Sequence, residues 1–291
     1  MFRVKSLNLD FMKYRRQALL LSLLLLLLSI GLLMFRGLNL GIDFAGGNLM
    51  QVEFASAVEV SQVRACLAEI GQDQAVIQAY SENGVIIRLK VEDEAARKEA
   101  LMVLRERFPG LELLRFEKVG PVVGQQLRKE AFVAVSLALL GILLYITVRF
   151  QFRFAIVSVL ALLHDSLITL GLFSLTGREI SLTFIAAILT IVGYSLNDTI
   201  VVLDRVRENS KHVKQWGILK LMNVSLNQTL SRTINTSLTT FLPVLVFFLL
   251  GGPVLANFSL ALLAGILVGT YSSIYIAASL LSEWYLRNPV K

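Results

Sequence analysis

Charge is scarce in this chain of 291 residues, and so are the side chains that hold metals: 17% of residues are charged, and there are two histidines and one cysteine. The single Cys66 cannot form an internal disulfide, so any part outside a membrane must hold together by core packing, and the redox compartment stays open. There is no H-E-x-x-H, no G-x-x-x-x-G-K-[ST] and no G-x-G-x-x-G, and Gly193-Tyr194-Ser195 is not a G-x-S-x-G elbow. Metal, hydrolytic and nucleotide-phosphate chemistry are left without a motif, and no cofactor is called for. Low-complexity tracts and short internal repeats are absent too.

What the chain has instead is apolar length. Hydrophobic residues make up 55% of it and the mean hydropathy is +0.68, a balance foreign to soluble domains. A helix rising 1.5 Å per residue needs about twenty apolar residues to cross a ~30 Å hydrocarbon core. Six stretches qualify: Gln17–Phe35, Ala131–Val148, Phe154–Leu175, Ser181–Leu203, Thr233–Leu250 and Val254–Leu281. The last is long enough to tilt or to run on into the interface. Basic residues precede the first stretch, but its apolar part exceeds a signal core and no small-x-small site follows, so it reads as an anchor.

Lys and Arg sit beside alternate ends of these spans. Arg3, Lys5, Lys13, Arg15 and Arg16 precede the first, Arg149 and Arg153 separate the second and third, and Arg205, Arg207, Lys211, Lys214 and Lys220 follow the fourth. The positive-inside rule then places residues 1–16 and 282–291 in the cytoplasm. The net charge of +7 is largely this topological signal and calls for no nucleic-acid partner.

Residues 36–130 have soluble composition and form an extracytoplasmic head by the same rule. Asn48–Phe54 alternates like a strand, Val60–Ile70 has helical spacing, Ala75–Tyr80 and Val85–Val91 read as strands turned at Asn83-Gly84, Glu92–Arg107 is helical and Leu111–Val119 is a last strand. The order βαββαβ predicts an α+β, ferredoxin-like head. Residues 204–232 are expected to be cytoplasmic, with an amphipathic helix on the lipid headgroups, since Lys211, Lys214 and Lys220 alternate with Trp216, Ile218, Leu219, Leu221 and Met222. Gly41–Gly47 reads as a tight turn feeding the first head strand.

Polar residues inside the spans are the functional candidates, because a carboxyl group at the centre of a membrane helix costs roughly 2.5–3.5 kcal/mol. Asp198 lies in the fourth span, near Tyr194, Ser195, Asn197 and Thr199, and could load and release protons. Arg232 opens the fifth span within reach of it, either tuning that carboxylate or anchoring a helix end by snorkelling. Thr236 and its neighbouring hydroxyls could order water. His164-Asp165 in the third span could extend a relay or could hold helices together by hydrogen bonds.

Three blocks carry a resemblance: Gly41–Leu49, the run GYSLNDTIVVLDRVREN from Gly193 to Asn209, and Ser231-Arg232-Thr233 with the later Gly251-Gly252-Pro253. Over nearly the whole chain they resemble the signature blocks of the SecF family, within the resistance-nodulation-division superfamily. The resemblance implies a non-enzymatic Sec translocase subunit of the cell inner membrane, its head in the periplasm. It implies SecD, the SecYEG channel, YajC, the translocating polypeptide and membrane lipids as partners, and the proton motive force as energy source. It also implies that Asp198 and Arg232 serve proton transport. A small-molecule or lipid exporter of the same superfamily and a passive assembly subunit are the alternatives.

Overall fold

The computed structural model describes residues 9–73, 75–89 and 94–288. Arg3, Lys5, the strand end at Val91, the helix start at Glu92 and the tail from residue 289 lie outside them. The chain divides into two compact units, Leu40–Phe132 and a unit formed by the residues before and after it.

The head contains strands β1 (Gly47–Glu53), β2 (Val76–Ala79), β3 (Gly84–Leu89) and β4 (Glu112–Val119), with helices α2 (Val60–Ala68) and α3 (Glu94–Arg107). The sheet order is β2-β3-β1-β4 and every pairing is antiparallel. That is the split βαββαβ arrangement the sequence predicts. Alternation places Met50 and Val52 of β1 and Val85, Ile87 and Leu89 of β3 on one face, where they pack with Val63, Leu67, Ala100 and Leu104 of the two helices. At the head's base one helical turn, Ile42–Ala45, ends at Gly46. Its φ of 74° and ψ of 169° fall in a region that only glycine occupies readily. A Cβ there would also stand 3.1 Å from the Pro121 Cα.

Among the described residues, six helices are long and apolar enough to span a membrane. They are α1 (Arg15–Phe35), α4 (Pro121–Arg149), α5 (Phe152–Thr176), α6 (Leu182–Asn209), α7 (Ile218–Leu250) and the sixth span, which comprises α8 (Gly252–Tyr271), a π-helical segment at Ser272–Ala277, and α9 (Ala278–Arg287). Helices α5 and α6 and the sixth span form the interior. In the π segment every residue but Tyr275 is buried. Helices α1, α4 and α7 turn apolar faces outward, among them Leu24, Leu144 and Leu242, as lipid-facing helices do.

Several element limits differ from those the sequence suggests. Helix α4 starts at Pro121, where proline's missing N–H costs nothing, although hydropathy rises only from Ala131. The span after residue 204 is not a headgroup helix: α6 runs on to Asn209, short turns cover Ser210–Trp216, and α7 starts at Ile218. Leu221, Met222, Leu226 and Leu230 recur at helical spacing and pack against Phe154, Val206 and Leu281, so their apolar face covers protein. Polar residues on the same stretch lower its hydropathy because they clasp other parts of the chain. Asn223 Oδ1 accepts from Phe11 N at 2.8 Å, and Asn227 both accepts from Leu9 N and donates to Leu9 O.

Cys66 supplies a probe of the head. It is 4% exposed, and burial first, then the nearby Glu69, pushes its thiol above the ordinary range, so alkylation must await opening of the fold. Gly46→Ala is expected to cost the head about 1–3 kcal/mol and to speed maleimide labelling of Cys66 in the full chain roughly five- to a hundred-fold. An unchanged labelling rate would show that the turn tolerates a side chain.

Candidate functional site

Among the described residues two carboxylates lie buried in the spanning helices, and they are partnered very differently. Asp165 on α5 is fully buried. Its Oδ1 pairs with His164 Nδ1 at 2.9 Å, and its Oδ2 accepts from Ser195 Oγ of α6 at 2.6 Å and from Ser272 Oγ of the sixth span at 2.8 Å. One side chain thus ties three helices together. Gly269 permits the approach: a Cβ there would stand 3.0 Å from the Ser195 Cβ. Three charge-assisted donors on one carboxylate, each intramembrane bond contributing about 0.6–1.7 kcal/mol, roughly offset its insertion cost of about 3 kcal/mol.

With Nδ1 committed to Asp165, the second ring nitrogen of His164, Nε2, is left over. That atom is buried without a hydrogen-bond partner, and the ring stacks on Tyr271 at 6.4 Å. Tyr271 in turn donates its hydroxyl to Ala18 O at 2.8 Å and accepts from Ser22 Oγ at 3.1 Å, which fixes α1 on the sixth span.

Asp198 is 2% exposed, yet it accepts one long bond, from Ser237 Oγ of α7 at 3.4 Å. Ser237 Oγ also lies 2.7 Å from Thr270 Oγ1, which donates to Ile266 O at 2.7 Å. Two hydroxyls carry two protons for three acceptor positions. If Thr270 serves Ile266 O and Ser237 serves Thr270, Asp198 receives nothing; if both hydroxyls turn toward Asp198, Ile266 O loses its extra donor. A charged Asp198 favours the second arrangement. A protonated one, itself a donor, favours the first. The Ser237-Thr270 chain therefore has two orientations that follow the charge of Asp198 across α6, α7 and α8.

The remaining candidates are placed as follows. Arg232 does not open a helix but lies well inside α7, and it is exposed. Among the described residues it makes no ion pair with Asp198. The Thr236 hydroxyl donates to its own helix, to Arg232 O at 2.9 Å. Asn197 is exposed, whereas Asp198 is buried. No group of His, Cys, Asp and Glu able to hold a metal occurs among the described residues. Ser237 is one of the fifth-span hydroxyls neighbouring Thr236 that the sequence offers as partners, whereas Ser272 and Thr270 are partners that sequence reasoning missed. Ser272-Ser273, a polar pair within an apolar span, was the available signal.

The hydroxyls of Thr199 and Thr233 are buried without a hydrogen-bond partner within the chain, and the buried Tyr194 hydroxyl lies beside Ser237 and Thr240. Polar atoms at membrane depth need water or protein to meet them. The exposed side of α6 is small and polar as well, with Ala186, Thr190, Gly193 and Asn197 one turn apart.

Comparison with known proteins identifies these features with a family. Residues 100–287 match the profile described as Protein export membrane protein SecD/SecF, C-terminal, and residues 31–58 match the SecD/SecF GG Motif. The chain is 41% identical to Protein translocase subunit SecF of Desulfurispirillum indicum, over 98% of this chain and 94% of that one. It is 40% identical to the subunit of the same name from Pseudomonas aeruginosa, over 94% and 90%. Protein translocase subunit SecDF of Thermus thermophilus is 43% identical over 96% of this chain, which spans 39% of that longer protein. A crystal structure of SecDF from Thermus, described as a translocon-associated membrane protein, superposes with a TM-score of 0.92 at 42% identity, covering 99% of this chain and 40% of that one.

The unequal partnering of the carboxylates has a measurable consequence. Asp165→Ala removes the acceptor of three donors and is expected to lower the thermal stability of the detergent-purified chain by several kcal/mol, whereas Ser272→Ala should cost about 0.6–1.7 kcal/mol. Equal losses in the two variants would mean that Asp165 does not organise the three helices.

Proposed function

We propose, since this chain belongs to the SecD/SecF family of protein-export membrane proteins, that it acts as a SecF-type subunit and couples proton entry at Asp198 to polypeptide export. The family reading makes it an accessory subunit of the Sec translocase, a multi-pass membrane protein. The coupling is the proposed step. The observation that carries it is the partnering of Asp198: one bond of 3.4 Å does little to offset burial of a carboxylate. A group so placed is poised to change protonation, and the Ser237-Thr270 chain gives the change a structural readout on two neighbouring helices.

His164-Asp165, by contrast, reads as the structural member of the pair, because both Asp165 oxygens already have partners on its own helix and two others. Arg232 is assigned to tuning the proton site once a second bundle covers the open side of α6 and α7. That bundle would be a SecD half, as the longer SecDF relative from Thermus suggests. SecYEG and the emerging polypeptide are then the functional partners, with YajC and lipids around the complex. The basic residues at one end of the bundle support a cytoplasmic placement of both termini and a periplasmic head at the inner membrane. A passive assembly role would leave the loosely held Asp198 without a purpose.

Gradient-driven export and proton flux in inverted vesicles test the reading, with assembly followed by co-purification. Asp198→Asn keeps size and hydrogen bonding but cannot titrate, so the complex should assemble while flux and gradient-driven export fall to the level seen without the chain. Arg232→Lys keeps charge but lacks the planar donor fork, and should impair export under the tuning role. Normal export in Asp198→Asn would remove Asp198 from the mechanism. Independently, Asn197→Cys in a Cys66→Ser background should crosslink to a second protein in membranes; crosslinks to lipid-phase reagents alone would leave the polar face of α6 exposed to lipid and contradict the partner assignment.

A further inference from the structure

A cavity of about 420 Å³ opens at the basic end of the spanning helices, away from both carboxylates. Its volume lies within the range of small-molecule sites. Phe154, Val206 and Leu221 form part of its lining and are each at most 3% exposed. Val213 and Leu286, also in the lining, are 37% and 45% exposed, which leaves apolar surface open to the surroundings. The apolar lining suits a hydrocarbon chain rather than a nucleotide or sugar.

Around it the polar residues are cationic and aromatic. Arg207 lines the cavity, ion-paired to Asp204 at 2.7 Å, with its guanidinium 5.0 Å from the Phe150 ring. Arg149 also lies over Phe150, at 5.4 Å. Arg153 sits over Tyr285 and Trp284 and donates to Asn288 O. Neither Arg149 nor Arg153 has a carboxylate partner among the described residues, and Lys211 and Lys214 are exposed nearby in sequence to Val213. Aromatic rings interleaved with guanidiniums at the end of membrane helices mark headgroup depth. Basic pockets between such helices suit anionic headgroups.

We infer that this cavity binds an anionic phospholipid, one acyl chain lying over Phe154, Val206 and Leu221 and the phosphate held at the mouth by the arginines. The inference is independent of proton coupling. Each cation near the phosphate should favour an anionic over a zwitterionic lipid about five-fold.

Trp216 and Trp284, the two tryptophans of the chain, lie in the segments that surround the cavity, so their fluorescence reads its occupancy. Phosphatidylglycerol with brominated acyl chains is titrated into the full chain in maltoside micelles, against brominated phosphatidylcholine. Saturable quenching is expected, at several-fold lower concentration for the anionic lipid. Val213→Phe, which narrows the mouth at an exposed position, should reduce the saturable part. Arg207→Gln should bring the two lipids closer together, and Arg207→Lys should restore their difference. Unaltered emission without lipid confirms that each variant is folded. Linear quenching equal for both lipids, or saturation untouched by Val213→Phe, would overturn the inference. Loss of saturable quenching when a partner subunit is bound would overturn it too, assigning the cavity to a polypeptide segment.

Discussion

Hydrocarbon offers no hydrogen bonds, so a carboxylate placed in it must find every partner within the protein. Asp165 does so with His164, Ser195 and Ser272, from its own helix and two others. The geometry of the interior follows from that demand. Helices α5 and α6 must approach closely enough for a 2.6 Å bond, and Gly269 lets the sixth span come within contact of Ser195. The π segment starts at Ser272, where the third donor is supplied. A π turn adds one residue to the helical count, so α9 presents a face rotated by about 100° from the one an unbroken helix would present. Wide turns of this kind recur at functional sites, and here the turn is buried on nearly every side.

Against that anchored group, Asp198 is the weakly held one. The two residues share a helix neighbourhood, since Ser195, which serves Asp165, precedes Asp198 by one turn. The two therefore differ in partner number rather than in burial. A carboxylate with three donors is held in place from its own helix and two others. A carboxylate with one distant donor has little to lose. The hydroxyl pair Ser237 and Thr270 adds the directional element, since hydroxyls reverse by rotation and need no backbone movement to register a new charge.

Much of this was legible in residue order. Six spans follow from apolar length, and the head's βαββαβ order follows from alternation and from the Asn83-Gly84 turn, because both depend on short-range periodicity. Asp198 and His164-Asp165 stand out because charge in an apolar run is costly. What was not legible is pairing at a distance. Ser195 precedes Asp198 in the same polar run and reads as its neighbour, whereas its hydroxyl bonds Asp165 on another helix. The start of α7 was hidden by Asn223, Asn227 and Gln228, whose polarity suggests a surface loop until Leu9, Phe11 and Asn209 are seen to occupy them. Arg232 consequently reads as a helix end and proves to be part of a helix interior.

The same distinction between satisfied and unsatisfied groups separates what this chain completes alone from what it leaves to others. The head closes its own core, with Met50, Val52, Leu67 and Leu104 fully buried. The interior of the bundle closes around Asp165. The outward face of α6, by contrast, ends in Thr190, Gly193 and Asn197, and Arg232 on α7 is also exposed. Leucine faces such as those of α1 and α4 are content in lipid, but a helix face of amide, hydroxyl and glycine gains nothing there and allows another backbone to come near. Polar surface at membrane depth, beside a carboxylate short of partners, is the physical mark of an interface that a second protein completes. The loosely held carboxylate and the polar outward surface thus belong to one helix: Asp198 is buried on one side of α6, and Asn197, the residue before it, is exposed on the other, so a single stretch of chain carries both the costly interior charge and a face poorly suited to lipid.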